Sequence, residues 1–445
     1  MLGPFKGLPS ADEGAFERLR NSINPDWIEE ALAATGTATI RRRRLPAEQV
    51  VWLVLGMALY RQRPIDDLVE RLDLVLPGTG KASMAKSAVA QARARLGEEP
   101  LKWLFERCSS KWGHESARRN AWRGLALYGV DGTTLRVPDS QENRDHFGSQ
   151  KTRNGQVSGY PLARAVTLMA LRSHIIAATT FGPWGDERPY ARELWSKVPD
   201  DSLALVDRNF LAANILIPLV AQGTNRHWLT RATTRSVWTV LKKLGTGDDL
   251  VEFDTSREAR KQNPDLPRTW QMRAIRYRRP GFRSQTLLTS LVDSVAFPSD
   301  ELRALYHERW EIELGFDEVK TDMLDRQEAI RSKTPKGVMQ ELWAVGLAYN
   351  LVRLEMERIA EEADVPASQI SFVVSLRMIR DEWMWAAASN SPGAIPKNLR
   401  RLRDELKRFI LPPRRSERNF PRAVKIKMSN YDRKRPTTVK KERRK

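Results

Sequence analysis

The sequence predicts an α/β protein with a core of strands and helices. Between about residues 120 and 230, short apolar runs typical of strands (162–171, 174–181, 203–206) alternate with helix-like runs (187–198, 210–222). Runs rich in β-branched and aromatic side chains favour strands, whereas longer runs with a period of 3.6 residues favour helices. Such alternation places helices against a sheet and predicts the α/β class.

Helical regions are predicted on both sides of this core. They are an all-α N-terminal domain over 1–118 and a helical region over 336–412. The α/β core is predicted over 119–335, and short strands separated by turn-forming residues predict a β-rich insertion at about 230–300. The remainder, 413–445, is basic: residues 414–445 hold 14 Lys/Arg and 3 Asp/Glu, a net charge of +11. High charge and low apolar content predict a tail that is disordered when free.

The composition indicates a polyanionic partner. The 445 residues carry a formal net charge of +20, so nucleic acid is the first candidate and a ribosome-associated or membrane-surface protein the alternative. The longest apolar run, 50–60, is too short to cross a bilayer, and no membrane partner is expected. Cys108 is the sole cysteine, which excludes an intrachain disulfide and fits a reducing cytoplasm. The five histidines lack the paired spacing of a zinc site.

Two aspartates follow apolar runs that are typical of buried strands. Asp131 ends the run 125–131, and Asp207 ends the run 202–207. Because open α/β sheets place their chemistry at the carboxyl ends of strands, both are candidate site residues. Each also has a structural interpretation: Asp131 could form a turn with the next glycine, and Asp207 could cap the following helix. An Asp-Gly-Thr string is also typical of haloacid-dehalogenase phosphatases, but Gly129 stands where their nucleophilic aspartate is required.

A third candidate carboxylate lies in a segment of four spaced polar residues. At about 100° per residue, one helical stripe would hold Tyr306, Arg309, Glu313 and Lys320. The rival carboxylates at positions 311 and 318 project off that stripe. Two strand-end aspartates and one helix glutamate would make a three-carboxylate site for Mg²⁺, the apparatus of two-metal phosphodiester chemistry.

These motifs resemble the DDE transposases of the insertion-sequence type 4 family over roughly residues 25–355. Asp131 stands in a DGT-like first motif, and Asp207 stands in a D-R-x-F/Y-like second motif. The spacing Y-x2-R-x3-E-x6-K matches the family's Y-R-E-K signature at every position. The resemblance implies an RNase H-like catalytic core, into which the family inserts a domain at the place of the predicted β-rich segment.

The resemblance also implies roles for the candidate residues. The catalytic residues, which would also bind two Mg²⁺ ions or Mn²⁺ in their place, are Asp131, Asp207 and Glu313. The residues expected to bind DNA phosphates are Tyr306, Arg309 and Lys320. Together with the charge, the resemblance further implies contact between transposon-end DNA and the basic run Arg41, Arg42, Arg43 and Arg44.

The implied activity is cut-and-paste transposition. The enzyme would bind the terminal inverted repeats of its element as a homodimer, cleave double-stranded DNA there and join the freed 3′-hydroxyl to target DNA. We expect it in the bacterial cytoplasm, associated with the nucleoid. The carboxylates do not indicate whether a hairpin intermediate forms. Two alternatives stay open: a nuclease or resolvase of the same fold that cuts without joining, and a transposase-derived DNA-binding protein, against which the three carboxylates argue.

Overall fold

The computed structural model of the protein describes residues 23, 25–38, 45–71, 85–150, 159–278, 283–324, 330–388 and 395–413. The predicted contacts of residues 41–44 and the predicted tail over 414–445 lie outside these ranges. Helices form the described N-terminal part: α1 (Pro25–Ala34), α2 (Ala47–Leu59), α3 (Ile65–Arg71), α4 (Lys86–Leu96) and α5 (Glu99–Arg119). The apolar run 50–60 forms most of α2, which is buried along nearly its whole length.

Strands and helices alternate through the next hundred residues, as the sequence predicts. The elements are β1 (Ala126–Arg136), α6 (Gln141–Phe147), β2 (Leu162–Ala170), β3 (Ile176–Pro183), α7 (Glu187–Leu194), β4 (Ser202–Val206), α8 (Ala213–Ala221) and β5 (Arg226–Arg231). A second group of strands follows, interrupted by one short helix: β6 (Thr239–Gly245), β7 (Asp248–Asp254), α9 (Arg257–Gln262), β8 (Thr269–Tyr277) and β9 (Gln285–Thr289).

All of these strands belong to one nine-stranded sheet in the described part of the chain. Its order is β3-β2-β1-β4-β5-β9-β8-β7-β6. The pairs β3–β2 and β2–β1 are antiparallel, β1–β4 and β4–β5 are parallel, and the remaining pairs are antiparallel. The mixed sheet and its helices confirm the α/β class.

The central strands are buried on both faces. Along β4, Leu203 and Leu205 join the core that includes α2 and α5, whereas Ala204 and Val206 join the core on the opposite face. This alternation follows from the two-residue period of a strand. The same alternation decides to which face of the sheet the residue after β4 points: position 207 continues the series of side chains at 203 and 205.

The prediction that Asp131 ends its strand is wrong. Strand β1 continues five residues further and pairs with antiparallel β2 as far as Arg136 opposite Leu162. Residues 133 and 134 are β-branched threonines, which suit an extended strand, and pairing with β2 overrides the turn that Asp-Gly alone suggested. The strand that ends beside Asp131 is β4, the parallel partner of β1, whose last paired residue is Val206.

The signature segment is not one regular helix, and this corrects the uniform stripe predicted from it. Helix α10 (Ser299–Tyr306) leads into a 3₁₀ turn (His307–Arg309), then α11 (Trp310–Asp317), then a π-helical segment (Glu318–Met323). A 3₁₀ turn winds more tightly than an α-helix and a π turn more loosely, so the angular positions shift along the segment. The signature residues therefore lie on differently wound stretches of one continuous segment.

The C-terminal part is helical as predicted, with α12 (Pro335–Ala363), α13 (Phe372–Ala388) and α14 (Ile395–Leu406). Helix α12 begins with Thr334, whose hydroxyl accepts a hydrogen bond from the Gly337 amide, and it packs against α2 and α5. Its residues from Val338 to Ala360 are mostly buried. Among the described helices, none combines the length and apolar character that a membrane span requires.

Candidate active site

Asp131 and Asp207 are neighbours on parallel strands. Val130 pairs with Val206, so the next residues of β1 and β4 lie side by side. Strands in a sheet are about 4.8 Å apart. Both aspartates continue the side-chain series that faces α2, α5 and α11. The carboxylate of Asp207 makes no capping hydrogen bond to the following turn, Arg208–Phe210, in the described structure, so the cap interpretation is not observed.

Two glycines allow α11 to approach this end of the sheet. A Cβ atom on Gly129 of β1 would lie 2.7 Å from Leu171 Cδ2 and 3.2 Å from Ile312 Cβ. A Cβ atom on Gly315 of α11 would lie 2.6 Å from Met169 Cε. Real side chains do not pack so closely, so glycine on each element brings the helix that carries Glu313 against the strand that carries Asp131.

Arg309 bridges two of the three candidate carboxylates. Its Nη2 atom donates to Glu313 Oε1 at 2.6 Å, and its Nη1 atom lies 3.4 Å from Asp131 Oδ2. The guanidinium is largely buried, with 13% of its side chain exposed. Arg309 and Glu313 meet because they are four residues apart. The predicted grouping of Asp131, Arg309 and Glu313 is thus present in the structure.

The surroundings of Asp131 disfavour its negative charge. Burial foremost raises its pKa from 3.8 to about 6, and the charges of Glu187 and Asp207 add to the rise. The Gly132 amide, which donates to Asp131 Oδ1 at 2.8 Å, and the Arg309 guanidinium oppose it. At neutral pH the buried carboxylate is therefore ionised at a cost to folding.

This cost predicts a pH-dependent effect of Asp131→Asn on stability. A carboxyl whose folded-state pKa is raised stabilises the fold when protonated, and that stability is lost as the pH rises through about 6. A shift from 3.8 to about 6 corresponds to roughly 3 kcal/mol. We expect the metal-free variant to have a higher Tm than the wild type at pH 8 and a similar Tm at pH 4, by calorimetry in chelator. A Tm difference that does not change with pH would contradict this origin.

A cleft opens beside Asp207. Its volume is about 350 Å³, and its lining includes Asp207, Arg231, Tyr277, Tyr306, Arg309 and Trp310. Extending the β4–β5 register from Leu205 opposite Leu229 brings Asp207 opposite Arg231. Burial raises the pKa of the Tyr306 phenol, which therefore remains a neutral hydrogen-bond donor at physiological pH. Two of the predicted phosphate-binding residues, Tyr306 and Arg309, face this cleft.

Lys320 lies near Asp131, within a second group of charges. Burial lowers its pKa, Arg164 lowers it further, and Asp317 and Asp131 oppose the shift. Arg164 itself donates from Nη1 to Glu187 Oε1 at 2.6 Å. Lys320 is thus close enough to Asp131 for their charges to interact, although it lies outside the cleft that holds Tyr306 and Arg309.

The donor set fits a hard divalent cation. Asp131, Asp207 and Glu313 offer carboxylate oxygens, the ligands that Mg²⁺ prefers. In the described residues, no three His, Cys, Asp or Glu side chains stand already grouped as a metal site. The Arg309 guanidinium instead bonds with carboxylate oxygens of Asp131 and Glu313, and its positive charge compensates theirs.

Sequence reasoning found these carboxylates and missed several of their neighbours. Arg231 was missed although it follows the short strand-like run 228–230, a signal similar to the one by which Asp207 was found. Glu187 was missed because only the fold brings it to Gly132, where a Cβ atom would lie 2.4 Å from Glu187 Cδ. The rival Glu311 and Glu318 contact His174 and Arg353.

Comparison with known proteins identifies the family to which the chain is similar. The sequence profile described as "Insertion element 4 transposase N-terminal" matches residues 13–106, and the profile described as "Transposase DDE domain" matches residues 123–351. The transposase InsG of insertion sequence element IS4 from Escherichia coli K12 is 39% identical over 435 residues, covering 96% of each chain. The putative transposase InsZ of the same strain is 35% identical over 61% of this chain and 94% of its own.

A solved structure shows a more distant similarity. The cryo-EM structure of a piggyBac transposase synaptic complex with hairpin DNA matches 93% of this chain and 88% of its own, with 11% identity and a TM-score of 0.43. The sequence matches place the chain among the DDE transposases, enzymes of DNA cleavage and strand transfer. Within that class, the chain belongs to the insertion sequence 4 family.

Proposed function

We propose that this transposase binds the terminal inverted repeats of its insertion sequence and moves the element by Mg²⁺-dependent cleavage and strand transfer. The observation that carries the proposal is the meeting of Asp131 and Asp207 on adjacent parallel strands with Glu313 on α11, joined through Arg309. Three carboxylates beside phosphate-binding cations suit phosphodiester chemistry. We take the order β3-β2-β1-β4-β5 as an RNase H-like core and the strands β6 to β9 as its insertion.

In this proposal, the carboxylates of Asp131, Asp207 and Glu313 hold two Mg²⁺ ions, for which Mn²⁺ can substitute. When bound, the ions lower the pKa of an attacking water or 3′-hydroxyl and stabilise the leaving 3′ oxygen. Arg309, once released from the carboxylates, binds a phosphate through two parallel N–H groups. Burial of Asp131 and the close packing of α11 limit water around the reacting phosphate.

The cations around the carboxylates would hold the DNA backbone. Arg231 and Tyr306 line the cleft beside Asp207, and Lys320 lies near Asp131, outside that cleft. Phosphates on both sides of the cut would then be fixed relative to the carboxylates. The cleft attracts a polyanion because its positively charged side chains outnumber the carboxylate of Asp207. Contacts of this kind bind phosphate irrespective of base sequence.

The division of labour along the chain is part of the proposal. Residues 1–118, including the basic run 41–44, recognise the element's ends, while 119–335 perform the chemistry and 336–412 support it. The basic remainder, 413–445, adds non-specific phosphate contacts. We further propose that the protein acts as a homodimer on DNA, in the bacterial cytoplasm and in association with the nucleoid.

A joining assay distinguishes the three candidate activities. Purified protein is incubated with Mg²⁺, a duplex ending in the element's terminal repeat and a supercoiled target plasmid. We expect a 3′-hydroxyl at the element end and its covalent attachment to the plasmid. A duplex with a scrambled end is the control and should be neither cut nor joined. Cutting without joining would support the nuclease or resolvase, and binding without either reaction would support the non-catalytic protein.

A further inference from the structure

Behind α11, on the side away from Arg309, lies a buried polar cluster of His174, Glu311, Glu318, Tyr349 and Arg353. His174 is 1% exposed, and Arg353 is 2% exposed. Such groups are costly to bury unless each is hydrogen-bonded. Arg309 and Glu313 bond instead with each other, and Arg309 also bonds with Asp131.

His174 contacts two turns of the signature segment. Arg353 Nη2 donates to His174 Nδ1 at 2.6 Å, so the ring carries its proton on Nε2 and donates to Glu311 Oε2 at 2.8 Å. Its Nδ1 edge also lies 3.4 Å from Glu318 Oε2. Residues 311 and 318 are seven apart, close to two helical turns, and therefore face the same side. Glu313 lies about 200° around the helix from Glu311 and faces the carboxylate site.

Glu318 is the centre of the cluster and the first residue of the π-helical segment. Its carboxylate accepts hydrogen bonds from Tyr349 Oη at 2.8 Å and from Arg353 Nη2. Burial alone would raise the pKa of Glu318, but the Arg353 guanidinium holds it below its usual range. The carboxylate is therefore ionised at neutral pH. Because Glu318 is fixed on α12 through Tyr349 and Arg353, the segment that follows it, including Lys320, is fixed as well.

The backbone of His174 is strained in a way that serves these contacts. In the turn between β2 and β3, His174 has φ of +62°, a left-handed conformation that few residues other than glycine adopt. Strain of this kind persists where surrounding contacts determine it. The close packing of Ile312 and Gly315 sets how near α11 lies to the sheet. The hydrogen bonds of Glu311 and Glu318 within the cluster add directional contacts, which fix the rotation of α11 about its axis.

We propose that His174 and Arg353 are positioning residues of the transposition reaction, which hold α11 and the π-helical segment so that Glu313 and Lys320 meet Asp131. The inference rests on the proposed function, since it assigns the cluster to the geometry of the metal-binding carboxylates. It predicts that a loss of the His174–Glu311 bond weakens metal binding before any DNA is present.

The test compares His174→Asn with His174→Gln. The Gln amide can reach Glu311 in the manner of His Nε2, whereas Asn is too short, although Asn tolerates the left-handed backbone better. We expect His174→Asn to bind Mn²⁺ 10- to 100-fold more weakly. This is the typical loss of affinity when a residue that orients the metal ligands is replaced. We expect His174→Gln to recover most of that affinity. Mn²⁺ affinity is measured without DNA by electron paramagnetic resonance, and single-turnover cleavage and DNA affinity are measured in parallel.

Arg172→Gln is the matched control. Arg172 lies in the same turn as His174 and pairs with Glu308 at 2.9 Å, but both side chains are about one-third exposed. Exposed pairs contribute little, so Mn²⁺ affinity and cleavage should stay at the wild-type level. If His174→Asn does not fold, the double variant Glu318→Gln/Arg353→Met replaces it, because removing both charges leaves no lone buried ion. It should show the same loss of Mn²⁺ affinity.

The outcomes separate this inference from the proposed function. Slower cleavage by His174→Asn with unchanged DNA affinity, weakened Mn²⁺ binding and recovery in His174→Gln would support it. Wild-type Mn²⁺ affinity and cleavage in a folded His174→Asn or double variant would overturn the inference alone. Equal losses in the Asn and Gln variants would also overturn it, since the bond to Glu311 would then not matter. Failure of the wild type to bind Mn²⁺ would overturn the proposed function instead.

Discussion

Replacing Asp131, Asp207 or Glu313 by its amide should lower the rate of DNA cleavage about a thousandfold or more. An amide keeps the shape of the side chain but loses the charge that attracts a divalent cation. Metal ions contribute several kcal/mol to stabilising such transition states, and about 4 kcal/mol corresponds to roughly a thousandfold in rate. The rate is measured in single-turnover cleavage of a duplex that carries the element's end, with Mg²⁺ in excess.

Affinity for that duplex should be unchanged in all three variants, because we assign recognition of the ends to residues 1–118. Glu308→Gln is the control. Glu308 lies on the same segment as Glu313 but pairs with Arg172 on the outer side, and its variant should cleave at the wild-type rate. Wild-type cleavage by any one of the three amide variants would remove that residue from the metal site.

Arg309→Ala should have two opposite effects. Without metal, Arg309 neutralises Asp131 and Glu313, so its removal leaves more negative charge for a cation to bind. We expect Mn²⁺ affinity to rise on the order of tenfold, because two unit charges 4 Å apart interact by about 4 kcal/mol at an effective dielectric of 20 and part of this is screened. Cleavage should nevertheless fall by about 10- to 100-fold, as a charge-assisted bond worth 1.5–3 kcal/mol is lost.

Arg309→Lys sharpens this prediction. Lysine keeps the positive charge near the carboxylates, so Mn²⁺ affinity should return towards that of the wild type. It lacks the planar fork that binds a phosphate through two N–H groups, so cleavage should recover only in part. Equal affinity for Mn²⁺ in the wild type and in Arg309→Ala would mean that the bridge to Asp131 and Glu313 does not compete with metal.

Much of the site could be predicted because its residues follow local rules. Asp207 directly follows a short apolar run, and Arg309 and Glu313 are four residues apart, so strand ends and helical spacing suffice to find them. The extent of β1 could not be predicted in this way. It depends on pairing with β2, whose residues lie some thirty positions later, as Asp131 opposite Thr167 illustrates. Tertiary pairing overrode the local turn preference of Asp-Gly.

The surroundings of the site depend on contacts that no local pattern encodes. His174 and Glu311 are 137 positions apart, and Arg353 joins them from a third element. Likewise, the 3₁₀ and π-helical irregularities of the signature segment arise around residues that bond to distant strands and helices. A regular helix was the best expectation from spacing, and long-range bonds to buried partners account for the departure from it.

The central claim is that Asp131, Asp207 and Glu313 together hold divalent cations at the reacting phosphate. Anomalous diffraction from crystals of the full chain soaked in Mn²⁺, collected near the manganese absorption edge, tests it most directly. We predict anomalous density between the three carboxylates, with the Arg309 guanidinium withdrawn from Asp131 and Glu313. Anomalous density bound elsewhere, with Arg309 still bridging Asp131 and Glu313, would contradict the claim.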